Sequence, residues 1–296
     1  NNERPSADDW CIGGSRTWLS PEFSNPHSRH DGLFDSGDGN WTVPAGLDPG
    51  PYRSRRTAET AWTGSTRVRL SPPSPGPPQN VLLEREIRIS KVPDNDIDAA
   101  EITVRQRITN ADPARYLEGI GAWAITQVDA SSSAYAEIPL TETLDSARDI
   151  CALREGTLDR RLLRLGTGHE NGATYLHIGL PVGEYFKLGI PPGHSDGRIH
   201  YFKTGTTGAL LSVSQKPRPL STDSAPHRSV EIIPPPARYP DFGDIVQLFN
   251  APDTQGPFCE IETHWPAVSQ APGETNESEY LLTFSVTHDA VDAGAR

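Results

Sequence analysis

The chain has 296 residues and carries 39 Asp and Glu against 27 Lys and Arg, a formal net charge of −12. That acid excess argues against a nucleic-acid binder, which would show a basic stripe, and no apolar run approaches the ~18–20 residues of a membrane-spanning helix. With 28 Pro and 26 Gly beside 6 Trp, 8 Tyr and 8 Phe, the composition is turn-rich but not that of a disordered chain; the length fits one large all-β domain as well as two ordinary ones.

Residues 1–65 read as an irregular N-terminal wrap, rich in Asp, Gly, Pro, Ser and Arg, with Trp10, Trp18, Trp41 and Trp62 as anchors. Residues 71–80 hold so many prolines that neither a helix nor a central strand can form there. From residue 81 a two-residue period takes over. Ile87 and Ile89 alternate with Arg88 and Ser90. Ile102, Val104, Gln106 and Ile108 share one face, and Glu101, Thr103, Arg105 and Arg107 the other. Asn110-Ala-Asp-Pro113 supplies a turn. Residues 119–129 read as a buried strand. Further strands are expected at 173–180, 184–190, 198–204, 208–214, 228–233, 245–250, 257–264 and 279–287. Helical signal is thin; the best stretch, 145–164, is interrupted by Gly156, and 158–165 reads equally well as strand. Ten or more strands with almost no helix imply one large antiparallel β-sandwich or barrel spanning 1–296.

The cysteines Cys11, Cys151 and Cys259 are odd in number and lack a C-x-x-C pair, so neither a disulfide scaffold nor a zinc or redox motif is supported. No metal and no cofactor are expected. The chain has no methionine. That fits a mature protein whose leader is removed, hence a secreted or periplasmic setting, or a sequence from which methionine positions are missing. Nothing in the sequence sets the oligomeric state. No G-x-S-x-G elbow is present.

Alternation over 257–264 puts Phe258, Glu260, Glu262 and His264 on one face and Cys259, Ile261 and Thr263 on the other. Two carboxylates and an imidazole on one face suit general acid–base work; an ordinary solvated face shows the same pattern. Gly13-Gly14-Ser-Arg16-Thr-Trp18-Leu-Ser-Pro21-Glu22 offers a guanidinium for hydroxyls or a carboxylate and a ring to stack on a sugar, or a surface loop with a Trp pinned to the core.

Three stretches resemble the galactose mutarotase-like superfamily, which contains the aldose 1-epimerases. Ile261-Glu262-Thr263-His264-Trp265-Pro266-Ala267 resembles the epimerase strand L-E-T-Q-x-x-P-D-A, whose Glu is the catalytic base. Arg107-Ile-Thr-Asn110 followed by Gly121-Ala-Trp123-Ala-Ile-Thr126 resembles the strand, asparagine turn and strand that lead into the family's pocket. Gly13-Gly14-x-Arg16-x-Trp18-x-x-Pro21-Glu22 resembles a Gly-Gly loop at the pocket mouth of divergent members. Glu260-x-Glu262, followed by Pro272-Gly273-Glu274, is similar to a secreted, uncharacterised branch. The resemblance implies an antiparallel β-supersandwich and a saccharide ligand. It makes Glu262 the base and gives Arg16, Trp18, Glu22, Arg105, Arg107, Trp123 and Glu260 to substrate binding. The family's N-H-x-Y-F-N-L stretch, which carries the histidine acid, is replaced here by Gly121–Thr126, so His264 or His200 is the candidate acid. Two functions follow: an epimerase-like enzyme acting at a sugar ring, or a non-catalytic carbohydrate-binding protein.

Overall fold

The computed structural model describes residues 14–20, 47, 50–70, 79–92, 97–141, 152–167, 173–218, 243–252 and 256–287. Along them the chain forms β1 (Gly14–Ser20), β2 (Arg53–Ala58), β3 (Ala61–Leu70), β4 (Gln79–Val92), β5 (Ile97–Asn110), β6 (Leu117–Asp129), β7 (Ala134–Pro139), β8 (Ala152–Gly156), β9 (Leu163–Thr167), β10 (Thr174–Gly179), β11 (Phe186–Ile190), β12 (Ile199–Thr204), β13 (Leu210–Arg218), β14 (Val246–Asn250), β15 (Phe258–His264), β16 (Val268–Gln270) and β17 (Thr275–Thr287). A single 3-10 turn, Arg160–Leu162, is the one helical element among the described residues. No helix there is long and apolar enough to cross a membrane.

All pairings between these strands are antiparallel. A seven-stranded sheet runs β1-β6-β15-β14-β11-β8, with β16 on β6; a ten-stranded sheet runs β2-β3-β4-β5-β17-β13-β12-β7-β10-β9. The sheets stack as the all-β sandwich that the two-residue period predicts. Between them lie two apolar clusters, one around Leu19, Val68, Leu83, Val104 and Leu282, the other around Ile138, Leu176, Leu188, Ile199, Leu248 and Ile261. Each such side chain contributes about 1.5–3 kcal/mol on full burial.

Polar ties cross this interior. Thr126 of β6 donates to Gln215 Oε1 of β13 at 2.7 Å, and Gln215 Nε2 donates to Thr263 Oγ1 of β15 at 2.9 Å and to the Ala124 carbonyl at 3.2 Å. Thr263 in turn donates to the Gly197 carbonyl. Ser15 and Arg85 meet on the Tyr280 hydroxyl, each at 2.9 Å. These contacts decide orientation: Thr126, Thr263 and Ser15 face the ten-stranded sheet, so Glu260, Glu262, His264, Arg16 and Trp18, one residue out of phase, face the other way.

Several expectations change. The wrap over 1–65 is, where described, not irregular: β1, β2 and the start of β3 are strands. β2 reads Arg-Ser-Arg-Arg-Thr-Ala and is exposed throughout, so it carries no apolar period to read. Trp10 and Trp41 lie outside the described residues. The candidate helix 145–164 is, from 152 on, two strands around the 3-10 turn, and β7 was not expected at all. The expected strand at 228–233 lies outside the described residues. The Asn110 turn is structural: its Nδ2 donates to the Arg115 and Gln270 carbonyls, closing the end of β5 against the segment that leads into β6 and against the end of β16.

Gln215 gives the interior its main polar anchor. Gln215→Leu strips the buried Thr126 hydroxyl of this acceptor and should cost about 1–3 kcal/mol, read as a lower urea midpoint at unchanged m-value. A midpoint equal to wild type would show that the tie carries no stability.

Candidate functional site

β15 is buried along its whole length, on both faces. One face supplies Cys259 and Ile261 to the inter-sheet core; Cys259 is a buried free thiol, and burial holds its pKa far above the ordinary thiol value. The other face carries Glu260, Glu262 and His264. Register sets their neighbours: Gln127, Ile125 and Trp123 of β6 stand opposite on one side, and Phe249 and Gln247 of β14 stand opposite the two glutamates on the other. Arg16 and Trp18 of β1 face Ile125 and Trp123. Lys187 of β11 stands opposite Phe249.

Glu262 is fully buried. Its Oε2 accepts from Trp123 Nε1 at 2.8 Å, and its Oε1 lies 3.4 Å from Lys187 Nζ, itself almost wholly buried. The same ammonium sits 4.9 Å from the Trp123 ring centroid, a cation–π contact strengthened by exclusion of water. Trp123 stacks on His264 with centroids 5.2 Å apart at 22° and meets Trp18 edge-on at 5.2 Å. The Arg16 guanidinium lies 5.9 Å from the Trp18 ring.

Glu260 has a different environment. Its Oε1 accepts from Gln127 Nε2 at 2.8 Å. Burial, and then the charge of Glu262, push its pKa up to about 7, against the opposing pull of the Gln127 hydrogen bond, Arg16 and Lys187. His264 moves the opposite way. Burial first, then Lys187, pull it down to about 3, so the imidazole is neutral at neutral pH. Its Nε2 is 3.7 Å from Glu262 Oε2, too far for a hydrogen bond.

A second buried ion pair borders the face. Arg154 donates to both Asp244 oxygens, at 3.0 and 2.7 Å, and Gln247 donates to Asp244 Oδ2 at 2.9 Å. Gly189 makes room for it: a Cβ there would lie 1.9 Å from Asp244 Oδ2.

Of the residues singled out in the sequence, Arg16, Trp18, Trp123, Glu260, Glu262 and His264 come together on this face. Arg105 and Arg107 do not. They lie on the outer face of β5, about half exposed, and share Glu277 of β17; in β5 the arginines are the solvent-side half of the alternation. His200 sits on β12 of the ten-stranded sheet, beside Glu137 of β7 and stacked near Phe202, so it does not face Glu262 and cannot act as its acid partner. Glu22 lies outside the described residues. Lys187, Gln127, Gln247 and the Arg154–Asp244 pair were not anticipated. For Lys187 a signal existed: a lysine between Phe186 and Leu188 in a strand of five buried residues needs a buried counter-charge. Among the described residues no group of three His, Cys, Asp or Glu is placed to hold a metal ion.

No family model matches the chain, and no curated protein matches it. Among solved structures, a candidate aldose 1-epimerase from Escherichia coli K12 aligns over 91% of this chain and 83% of its own, at 12% identity and a TM-score of 0.49. The Slr1438 protein of Synechocystis sp. PCC 6803 aligns over 92% and 78%, at 11% identity and 0.45. A candidate aldose 1-epimerase from Klebsiella pneumoniae aligns over 80% and 53%, at 13% identity and 0.39. These are distant likenesses of fold.

The opposed environments of Glu260 and His264 give opposite pH trends. Glu260, raised from 4.5 to about 7, keeps in the native state a proton that the unfolded chain releases; its stabilisation is complete below about pH 4.5 and is lost as pH rises through 7. His264, lowered from 6.5 to about 3, contributes stability above about pH 6.5 that is lost as pH falls toward 3. Glu260→Gln keeps the hydrogen bond without the ionisation, so its stability relative to wild type should improve steadily from about pH 4.5 to about pH 8 in denaturant titrations. A constant difference across that range would mean Glu260 titrates normally.

Proposed function

We propose that the buried face of β15 is the reaction centre of an epimerase-like protein acting at a sugar ring, with Glu262 as base and Glu260 as acid. The observation that carries this reading is the division of labour between two carboxyls two residues apart on one face. Glu262 is set in a cage of Trp123 Nε1 and Lys187 Nζ, while Glu260 is displaced toward a pKa of about 7. Titratable pairs whose environments are pushed apart are the usual mark of an acid and its base. The resemblance of Ile261–Ala267 to the epimerase strand supports the role of Glu262.

The chemistry is a paired proton transfer. Glu260 gives a proton to the ring oxygen while Glu262 takes the proton of the anomeric hydroxyl, and the bond between the anomeric carbon and the ring oxygen breaks to leave the open-chain aldehyde. Rotation of the aldehyde and reversal of both transfers close the ring as the other anomer and restore each carboxyl. A donor with pKa near ambient pH suits this task. His264, neutral at that pH, serves to support the Trp123 ring rather than to donate. Trp18 and Trp123 wall the site with apolar surface, and Arg16 is the hydroxyl or carboxylate partner. A secreted or periplasmic setting belongs to the same proposal.

The second reading, a carbohydrate-binding protein without turnover, is favoured by the missing histidine acid and by the Arg16–Trp18–Trp123 array, which suits recognition alone. Polarimetric mutarotation of glucose and galactose separates the two. If the protein is an enzyme, Glu262→Gln should lower the rate by about a hundredfold to ten-thousandfold, and Glu260→Gln should remove the limb of the pH profile near 7. Unchanged turnover in Glu262→Gln would sink the catalytic assignment. Binding of a sugar without turnover, weakened by Trp18→Ala, would establish the binding reading.

A further inference from the structure

We infer that the arginine-lined trough on the outer face of β2 to β5 is a second binding site, for an acidic oligosaccharide bearing a carboxylate on each sugar. It lies on the ten-stranded sheet, and the inference stands whether or not the Glu262 face is catalytic.

The outer face of this sheet is a ladder of alternating charge. Across the strands, Arg218 stands opposite Glu279, Glu279 opposite Arg105, and Arg105 opposite Glu86; one step along, Glu277 stands opposite Arg107 and Arg107 opposite Glu84. Arg105 and Arg107 both bind Glu277, at 2.5 and 2.8 Å, and these hydrogen bonds hold its carboxyl below the usual carboxylate range. At β3 the alternation stops. Glu84 and Glu86 face Ser65 and Thr63, and these in turn face Arg53 and Arg55 of the exposed strand β2. The ladder therefore ends on two guanidiniums with hydroxyls, not carboxylates, opposite them. Among the described residues, Arg55 donates a long 3.4 Å bond to Thr63 Oγ1.

A groove of about 490 Å³ lies along this end, lined by Arg53, Arg55, Arg105 and Arg107 with Glu84 and Glu86 among its walls. A second groove of about 370 Å³, which includes Arg67, shares Arg53 and Ser65 with it. Joined at Arg53 and Ser65, the two make a trough with arginines in both parts, on a protein whose net charge is −12.

The mixture of groups selects the ligand. Planar guanidiniums match carboxylates in a two-point fork. The carboxylates of Glu84 and Glu86 and the hydroxyls of Thr63 and Ser65 accept hydrogen bonds, so they fit a ligand that also offers hydroxyl donors. A uronate chain has both. A DNA backbone has the anions but no hydroxyls for the two glutamates, which would repel it, and the larger groove has no aromatic lining on which bases could stack.

The test is calorimetric titration at low salt with a galacturonate hexasaccharide, its methyl ester, and a single-stranded DNA hexamer. The acidic hexasaccharide should bind and weaken with added salt, and the ester and the DNA should bind at least about tenfold more weakly. The double variant Arg53→Ala/Arg55→Ala should lose about tenfold in affinity for the hexasaccharide. Both side chains are exposed, so its unfolding midpoint should match wild type, which separates loss of the site from loss of the fold. No binding of the hexasaccharide at millimolar concentration, equal binding of the ester or the DNA, or affinity unchanged in the double variant would each overturn the inference.

Discussion

Lys187 and Glu262 set the constraint on which the rest of the seven-stranded sheet depends. β15 is buried on both faces, and one of those faces carries two carboxyls and an imidazole. An isolated charge there would be untenable, because desolvation costs several kcal/mol per ion. The sheet answers with a lysine from β11, an indole N–H from β6 and an amide from β6, each delivered by register. A slip of one residue would turn the glutamates into the apolar core and Ile261 out of it. The Gln215–Thr263 tie on the opposite side of β15 therefore does more than join two sheets: it pins the strand in the phase that keeps charge and apolar surface apart.

The same burial makes the face chemically useful. With water excluded, a charge a few ångströms away moves a pKa by far more than it would at the surface. Burial, and then the neighbouring carboxylate, drives Glu260 up; burial, and then the Lys187 ammonium, drives His264 down. One strand thereby carries a carboxyl that holds its proton near neutrality and an imidazole that refuses one. The Arg154–Asp244 pair and the small Gly189 border this layer, so the electrostatics of the face extend across the strands from β1 to β8 in the sheet order rather than resting on β15 alone.

The sequence exposed what is periodic and local. Glu260, Glu262 and His264 share a face because strands alternate, and that was legible from seven residues. Arg16, Trp18 and Trp123 were legible from short motifs. What could not be read was which strands lie side by side. β11 stands next but one to β15 although Lys187 and Glu262 lie far apart in the sequence, and no local pattern announces that proximity. Arg105 and Arg107 misled for the same reason. They precede the Asn110 turn that resembles the family's approach to its pocket, yet β5 belongs to the other sheet. His200 was drawn in by its chemistry alone, and its strand pairs with β7 and β13, away from the site. β2 escaped notice because an exposed edge strand with no large apolar residue leaves no period to find.

Lys187 and Glu262 stabilise this face as a pair. A double-mutant cycle measures it directly: wild type, Lys187→Met, Glu262→Gln and the double variant, each unfolded in urea at pH 7. Removing the lysine alone leaves a buried carboxylate without its ammonium and should cost about 3–5 kcal/mol. The double variant should recover most of that loss, giving a coupling energy well above the ~0.5 kcal/mol scatter of independent sites. Strictly additive losses would contradict the account.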